Sequence, residues 1–168
     1  MSPDKRASTA YLGLGSNLGD RAANLARALE RLRAQCVTVL SVSPAYETEP
    51  VGYAHQPKFL NAACRVQTAL APGELLARLK DIEREMGRVP TIASGPRMID
   101  LDLLLYDDLI LAEGALQVPH PRMTTRAFVL VPLADIAPDV RHPIGGKTVS
   151  QLAALVGAAG VVRWGSIG

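Results

Sequence analysis

Aromatic side chains are scarce in this 168-residue chain: one Trp, four Tyr and two Phe make up 4% of it. Its two cysteines, Cys36 and Cys64, stand in unrelated contexts without metal-ligand spacing. That excludes a zinc module or a disulfide scaffold and leaves two reduced thiols, one near a helix end and one in a strand. Excess charge is missing too. The 18 Lys and Arg against 16 Asp and Glu leave a net +2, without a basic block or stripe, which argues against nucleic acid or an anionic membrane as the main partner. No apolar run approaches the roughly 20 residues that span a bilayer, and the first eight residues are too short and polar for a secretory signal. The expected protein is soluble and cytoplasmic, a monomer or weak homo-oligomer, with no nucleic-acid or membrane partner.

Apolar residues, in contrast, are plentiful at 48%, enough for the core of one domain spanning residues 1–168, with 1–8 as a flexible tail. Alternation predicts strands over residues 9–14, 37–46 and 59–69, with short ones near Leu109 and Gln117. Helical spacing of Leu25, Leu29 and Leu32 predicts a helix over 20–35. Leu75, Leu79, Ile82 and Met86 predict a second, opened by Pro72 and ended by Gly87. Further helices are expected around 125–135 and 149–156. The order strand-helix-strand-strand-helix-strand predicts an α+β, ferredoxin-like sandwich with additional C-terminal helices covering the sheet. That architecture serves enzymes, RNA binders and regulatory modules alike, so function must come from the site.

Residues 95–106 read GPRMIDLDLLLY. In an extended strand Asp100 and Asp102 leave the same face, with Cα atoms roughly 6.5 Å apart. Two neighbouring carboxylates repel, so a cation between them is the economical explanation, and hard oxygen ligands favour Mg²⁺ or Mn²⁺ over zinc. A solvated outer face is the bland alternative. Leu101, Leu103, Leu104 and Leu105 argue against it, since they make the strand look central and mostly buried. The run GLGSNLG at 13–19 has neither a P-loop lysine nor dinucleotide spacing. It is read as a tight strand-to-helix turn, with Asn17 or Asp20 capping the helix and Gly15 relieving backbone strain. Phe59 and Asn61 share a strand face, where an aromatic ring beside an amide suits either core packing or a flat heterocycle. His120, Arg122 and Arg126 gather at a helix start, where cations oppose the helix dipole and an anion between them would be favourable. His120 would equally suit a rigid loop, bonded to backbone.

Taken in order, GLGSNLGDR, YETEPVG, FLNAA, GPRMIDLDLLLY and VPHPRM resemble the motifs of the 6-hydroxymethyl-7,8-dihydropterin pyrophosphokinases of folate biosynthesis, over roughly residues 9–156. No single motif carries the resemblance; joint order and spacing do. It implies a ferredoxin-like pterin pyrophosphokinase domain that transfers the pyrophosphoryl group of ATP to the pterin hydroxymethyl and releases AMP, using two Mg²⁺ ions. Residue by residue it implies Asp100 and Asp102 as metal ligands and Phe59 and Phe128 as the aromatics sandwiching the pterin. Asn61 would bond the pterin's amide-like edge, which Thr48 and Val51 would reach through backbone groups. Arg88, Arg97, His120 and Arg126 would surround the triphosphate, with Arg88, Arg97 and Asp102 catalytic and Glu83 a further carboxylate at the ATP site.

The chain also departs from the better-known members. Residues 89–94 lie where some carry a longer loop with arginines and a tryptophan, and Pro121 replaces an aromatic found in some. A mobile lid over 89–94, closing through Arg88 and Arg97 at its ends, is the expectation. Two other classes use related parts. A regulatory module would need no metal carboxylates, and a metal-dependent phosphohydrolase would need a water nucleophile but no pterin slot.

Overall fold

The computed structural model describes residues 7–50, 55–87 and 97–167. Strand β1 (Ser8–Ser16) runs into helix α1 (Arg21–Arg33). Asp20 caps that helix, its carboxylate accepting from Ala23 N at 3.1 Å, which satisfies an otherwise orphaned donor. Leu25, Ala28, Leu29 and Leu32 are buried at i, i+3, i+4 and i+7, the stripe of a helix lying on a sheet. Helix α2 (Pro72–Glu85) follows the same logic. Pro72 sits in its first turn, Glu74 accepts from Ala71 N at 2.9 Å, and Leu75, Leu79 and Ile82 are fully buried. Gly87 follows at φ +85°, a left-handed conformation that ends a helix readily when no Cβ is present. Truncating Leu79 to Ala would cost about 2–5 kcal/mol through lost burial and the cavity left behind.

The predicted strand over 37–46 is two strands, β2 (Val37–Val42) and β3 (Ala45–Thr48). Both pair with β4 (Phe59–Thr68). The interruption falls at Ser43-Pro44, because Pro44 has no N–H to donate. Ser43 N donates to Ala63 O and Ser43 Oγ accepts from Ala63 N, both at 2.8 Å. Strand β5 (Asp100–Tyr106) carries the two aspartates. A hairpin of β6 (Leu111–Glu113) and β7 (Leu116–Val118) follows, then a 3₁₀ turn at Met123–Thr125, α3 (Ala127–Ile136) and α4 (Val149–Val156). The chain closes on β8 (Val161–Gly165), a strand the sequence pattern did not reveal.

The main sheet runs β5-β1-β4-β3-β8, with β2 also on β4 and all pairings antiparallel. With β2 and β3 as one interrupted strand, this is the expected ferredoxin-like arrangement, extended by β8. One expectation fails: among the described residues β5 is at the edge of the sheet and not in its centre. Its leucines are buried because both faces are covered. Leu101 and Leu103 pack with α1 and α2, while Leu104 and Leu105 pack with Met123, Val129 and Leu133 on the α3 side. A run of apolar residues reports two covered faces, which an edge strand can also have.

Candidate active site

Cross-strand register builds the floor of the site. One row of directly paired residues crosses the sheet from Asp100 through Gly15 and Asn61 to Tyr46 and Arg163. The neighbouring row on the same face runs from Asp102 through Gly13 to Ala63. Paired residues share a face, so the glycines leave bare backbone between the carboxylates and Asn61. A Cβ at Gly15 would stand 2.6 Å from Asn61 Oδ1 and 3.5 Å from the Phe59 ring. Gly15 therefore makes room and does not relieve strain, correcting the sequence reading. The left-handed position of the turn is Gly19, at φ +66°.

Above this floor lies a cleft of about 410 Å³. It is lined by Thr48, Phe59 and Asn61 of β3 and β4, by Phe128 of α3 with its N-cap Arg126, and by Arg97, Asp100, Asp102 and His120. Asn61 Nδ2 donates to Thr48 Oγ1 at 2.6 Å, which fixes the amide plane against the strand. The Arg126 guanidinium stacks over the Phe128 ring, 5.4 Å from its centroid, a cation–π contact that orients both. The two phenylalanines of the chain thus flank one polar-edged slot.

The carboxylates are held unequally. Both carboxylate oxygens of Asp100 accept from the one nitrogen Arg97 Nη1, at 3.1 and 2.9 Å. Asp102 is pushed up from 3.8 to about 6, by burial first, then by the charges of Asp100 and Glu83. Burial, then Arg126 and Arg122, hold His120 below the usual imidazole range. His120 Nδ1 accepts from Arg122 N at 3.2 Å, which leaves the proton of a neutral ring on Nε2. His120 is thus bonded to backbone, as the rigid-loop reading expects, and it also lines the cleft. Burial, then Arg122, lowers the Arg126 pKa, while Asp102 and Asp100 raise it.

Two bonds close the free edge of β5. Glu83, 3% exposed, accepts from Leu101 N at 2.9 Å, and His120 N donates to Leu104 O at 2.8 Å. Edge strands need such cover, and here the cover brings His120 beside the carboxylates. Asn17 does the rest. Its Oδ1 accepts from Arg97 N at 2.7 Å, while its Nδ2 donates to Gln56 Oε1 at 2.8 Å and Pro57 O at 3.0 Å. The 17–19 turn is a junction between chain segments, and Asp20 alone caps α1.

A second cleft of about 270 Å³ adjoins the first and shares Asp102 and His120 with it. Leu76, Leu103, Leu116 and Lys80 give it a mainly apolar wall.

A model of the 7,8-dihydro-6-hydroxymethylpterin-pyrophosphokinase (HPPK) family matches residues 11–138. The chain belongs to that family. An HPPK from Methylorubrum extorquens, named 2-amino-4-hydroxy-6-hydroxymethyldihydropteridine pyrophosphokinase, is 46% identical over 92% of this chain and 97% of its own length. The Bacillus subtilis protein of the same name is 48% identical, over 84% and 86%. The folic acid synthesis protein of Pneumocystis carinii is 45% identical over 84% of this chain, which spans only 19% of that longer protein. Wild-type Plasmodium falciparum HPPK-DHPS, crystallised with pteroate, superposes with a TM-score of 0.72 at 16% identity, over 92% of this chain and 43% of that one. It supports the fold alone. ATP is the co-substrate of HPPK enzymes.

Of the expected HPPK site residues, Thr48, Phe59, Asn61, Arg97, Asp100, Asp102, His120, Arg126 and Phe128 all line the larger cleft. Glu83 lines neither cleft; it lies at the free edge of β5, bonds its backbone, and its charge acts on Asp102. Val51, Arg88 and the lid over 89–94 fall outside the described residues. The sequence reading missed Gly13 and Gly15 as floor, Asn17 as a junction and the second cleft. Only the G-x-G pattern itself signalled the first of these.

Proposed function

We propose that this chain transfers the β,γ-pyrophosphoryl group of ATP to the hydroxymethyl oxygen of 6-hydroxymethyl-7,8-dihydropterin in folate synthesis. The hydroxymethyl oxygen forms a bond to the β-phosphorus as the bond from that phosphorus to the α,β-bridging oxygen breaks, and AMP departs. The observation that carries the reading is one cleft uniting an aromatic pair, a fixed amide and two adjacent carboxylates.

In this reading the pterin ring lies between Phe59 and Phe128, with its polar edge on Asn61 and the Thr48 and Val51 backbone. The nucleobase occupies the adjoining cleft against Leu76, Leu103 and Leu116. The triphosphate then crosses the Asp100–Asp102 end, where Arg97, His120, Arg126 and Arg88 oppose its charge. Asp100 and Asp102 fit Mg²⁺, for which one or two carboxylates with substrate phosphates and water suffice. Among the described residues no three His, Cys, Asp or Glu side chains converge as a self-sufficient metal cage. Two ions, when bound there, supply charge neutralisation and polarise reacting oxygens. The chain's own groups orient and accept. Arg97 moves from Asp100 toward phosphate oxygens, and Asp102, made basic by burial and Asp100, takes the hydroxyl proton. Glu83 acts from the edge, holding β5 through Leu101 N.

Purified protein with ATP, hydroxymethyldihydropterin and Mg²⁺ should yield AMP and pterin diphosphate in equal amounts by mass spectrometry. ATP breakdown independent of the pterin would indicate a hydrolase, and substrate binding without turnover a regulatory module; either result overturns the proposal.

A further inference from the structure

The cross-strand row that begins at Asp100 does not stop at the cleft. Beyond Asn61 it continues to Tyr46 on β3 and Arg163 on β8. Tyr46 is 8% exposed, and its hydroxyl donates to Asp135 Oδ2 on α3. Arg163 stands opposite Tyr46 in the register and acts electrostatically on its phenol. None of the three lines either cleft. Asp135 lies seven residues after Phe128 on α3, two helical turns along, so both fall on one stripe of that helix, with Asp135 at its exposed end. One end of that stripe carries an aromatic wall of the slot, and the other is tied to the strand that carries Thr48.

We infer that Tyr46, Asp135 and Arg163 are positioning residues that set how closely α3 approaches β3 and β4, and hence the width of the slot between Phe59 and Phe128. The inference rests on the pterin reading of that slot. The tether is local and directional. A helix packed only by apolar contacts can slide by small amounts, whereas a charge-assisted bond from a rigid phenol fixes distance and register together. Burial, then Asp135, pushes the Tyr46 hydroxyl up to about 12, so it remains a donor throughout the neutral range. Strand β8 lies beyond the stretch that the family model matches. By pairing with β3 it turns what would be an edge into an interior strand, and Arg163 places a positive charge on the same face as the Tyr46–Asp135 pair.

The experiment compares Tyr46→Phe, Asp135→Asn and Arg163→Ala with the wild type in steady-state kinetics. Tyr46→Phe should raise KM for the pterin about 5- to 20-fold, the loss of one charge-assisted bond, and leave KM for ATP within about twofold. Asp135→Asn keeps an acceptor oxygen and should recover most of the pterin affinity, while Arg163→Ala should produce a smaller loss of the same kind. Amide exchange across residues 127–136 reads the tether with no substrate present, and Tyr46→Phe should speed it while leaving α4 unchanged. Unchanged exchange in α3, or a lowered Tm with both KM values shifted equally, overturns the inference. Wild-type protein that forms no AMP from ATP and the pterin overturns the functional reading instead, and the exchange measurement still decides the tether.

Discussion

Asp102 concentrates the chemistry of the site in one titration. Its carboxyl stands at about 6 in the folded chain, against an ordinary 3.8. Between those values the folded protein holds a proton that the unfolded chain has released, so stability falls as pH rises through this window. Above it, the charged and metal-free Asp102 costs on the order of 1–3 kcal/mol. Asp102→Asn should therefore stabilise the metal-free protein at pH 7 by that order and flatten the slope between about pH 4 and 6 in urea titrations. It should also lower AMP production by about 100-fold or more. A variant less stable than wild type at pH 7 would contradict the assigned cause of the shift. Mg²⁺ bound at Asp102, as proposed, would have to displace that proton, so its affinity should weaken roughly tenfold per unit below pH 6. Gly15 offers a steric test on the other side of the cleft. Gly15→Ala drives a methyl into Asn61 Oδ1, 2.6 Å away, and should raise pterin KM more than ATP KM; equal effects would mean that the sheet, and not the slot, has moved.

At the scale of elements, the site depends on how β5 is bolted to its surroundings. An edge strand has free N–H and C=O groups, and here Glu83 and His120 take two of them at Leu101 and Leu104. Asn17 holds the entry to the strand by accepting from Arg97 N while donating to the 56–57 segment. Asn17→Ala removes three hydrogen bonds, one buried and two half-buried, which should cost about 1–3 kcal/mol. Since Arg97 grips Asp100, turnover should fall as well, by about tenfold or more. Urea unfolding together with single-turnover kinetics checks both, and a stability loss with normal turnover would limit Asn17 to a purely structural role. The short elements follow the same local physics. Strands β2 and β3 separate where Pro44 removes a donor, and α1 begins where Asp20 supplies an acceptor.

At the scale of the molecule, substrates should report on the fold through linkage. A ligand that binds only the native state at about 100 times its Kd adds about 2.7 kcal/mol. For a chain of this size that corresponds to a rise in Tm of about 5–10 °C. A non-hydrolysable ATP analogue should give such a shift with Mg²⁺, and a much smaller one after chelation, because the phosphates would then face Asp100 and Asp102 without neutralisation. Equal shifts with and without Mg²⁺ would remove the two aspartates from the metal role. Lowering pH from 7 to 5 should diminish the Mg²⁺-dependent part first, as Asp102 takes up its proton. Among the described residues no helix is long and apolar enough to cross a membrane.

Period and punctuation in the sequence determined the elements and their order: buried stripes at helical spacing in α1 and α2, alternation in β1 and β4, Asp20 and Pro72 at helix starts, Gly87 at a helix end. These are local preferences, set by backbone sterics and by neighbours within one turn, and they carry over to the folded state unchanged. The same locality made Asp100 and Asp102 legible as a pair, and Phe59 with Asn61. Tertiary structure alone decided the rest. That β5 is an edge strand, that β8 joins β3, and that Gly15 is vacant space opposite Asn61 are facts of register between segments far apart in the chain. What Glu83 and Asn17 bond was hidden for the same reason. Their partners are backbone groups of distant strands and loops, and a backbone N–H looks alike at every position of a sequence until the fold decides which one is left without a partner.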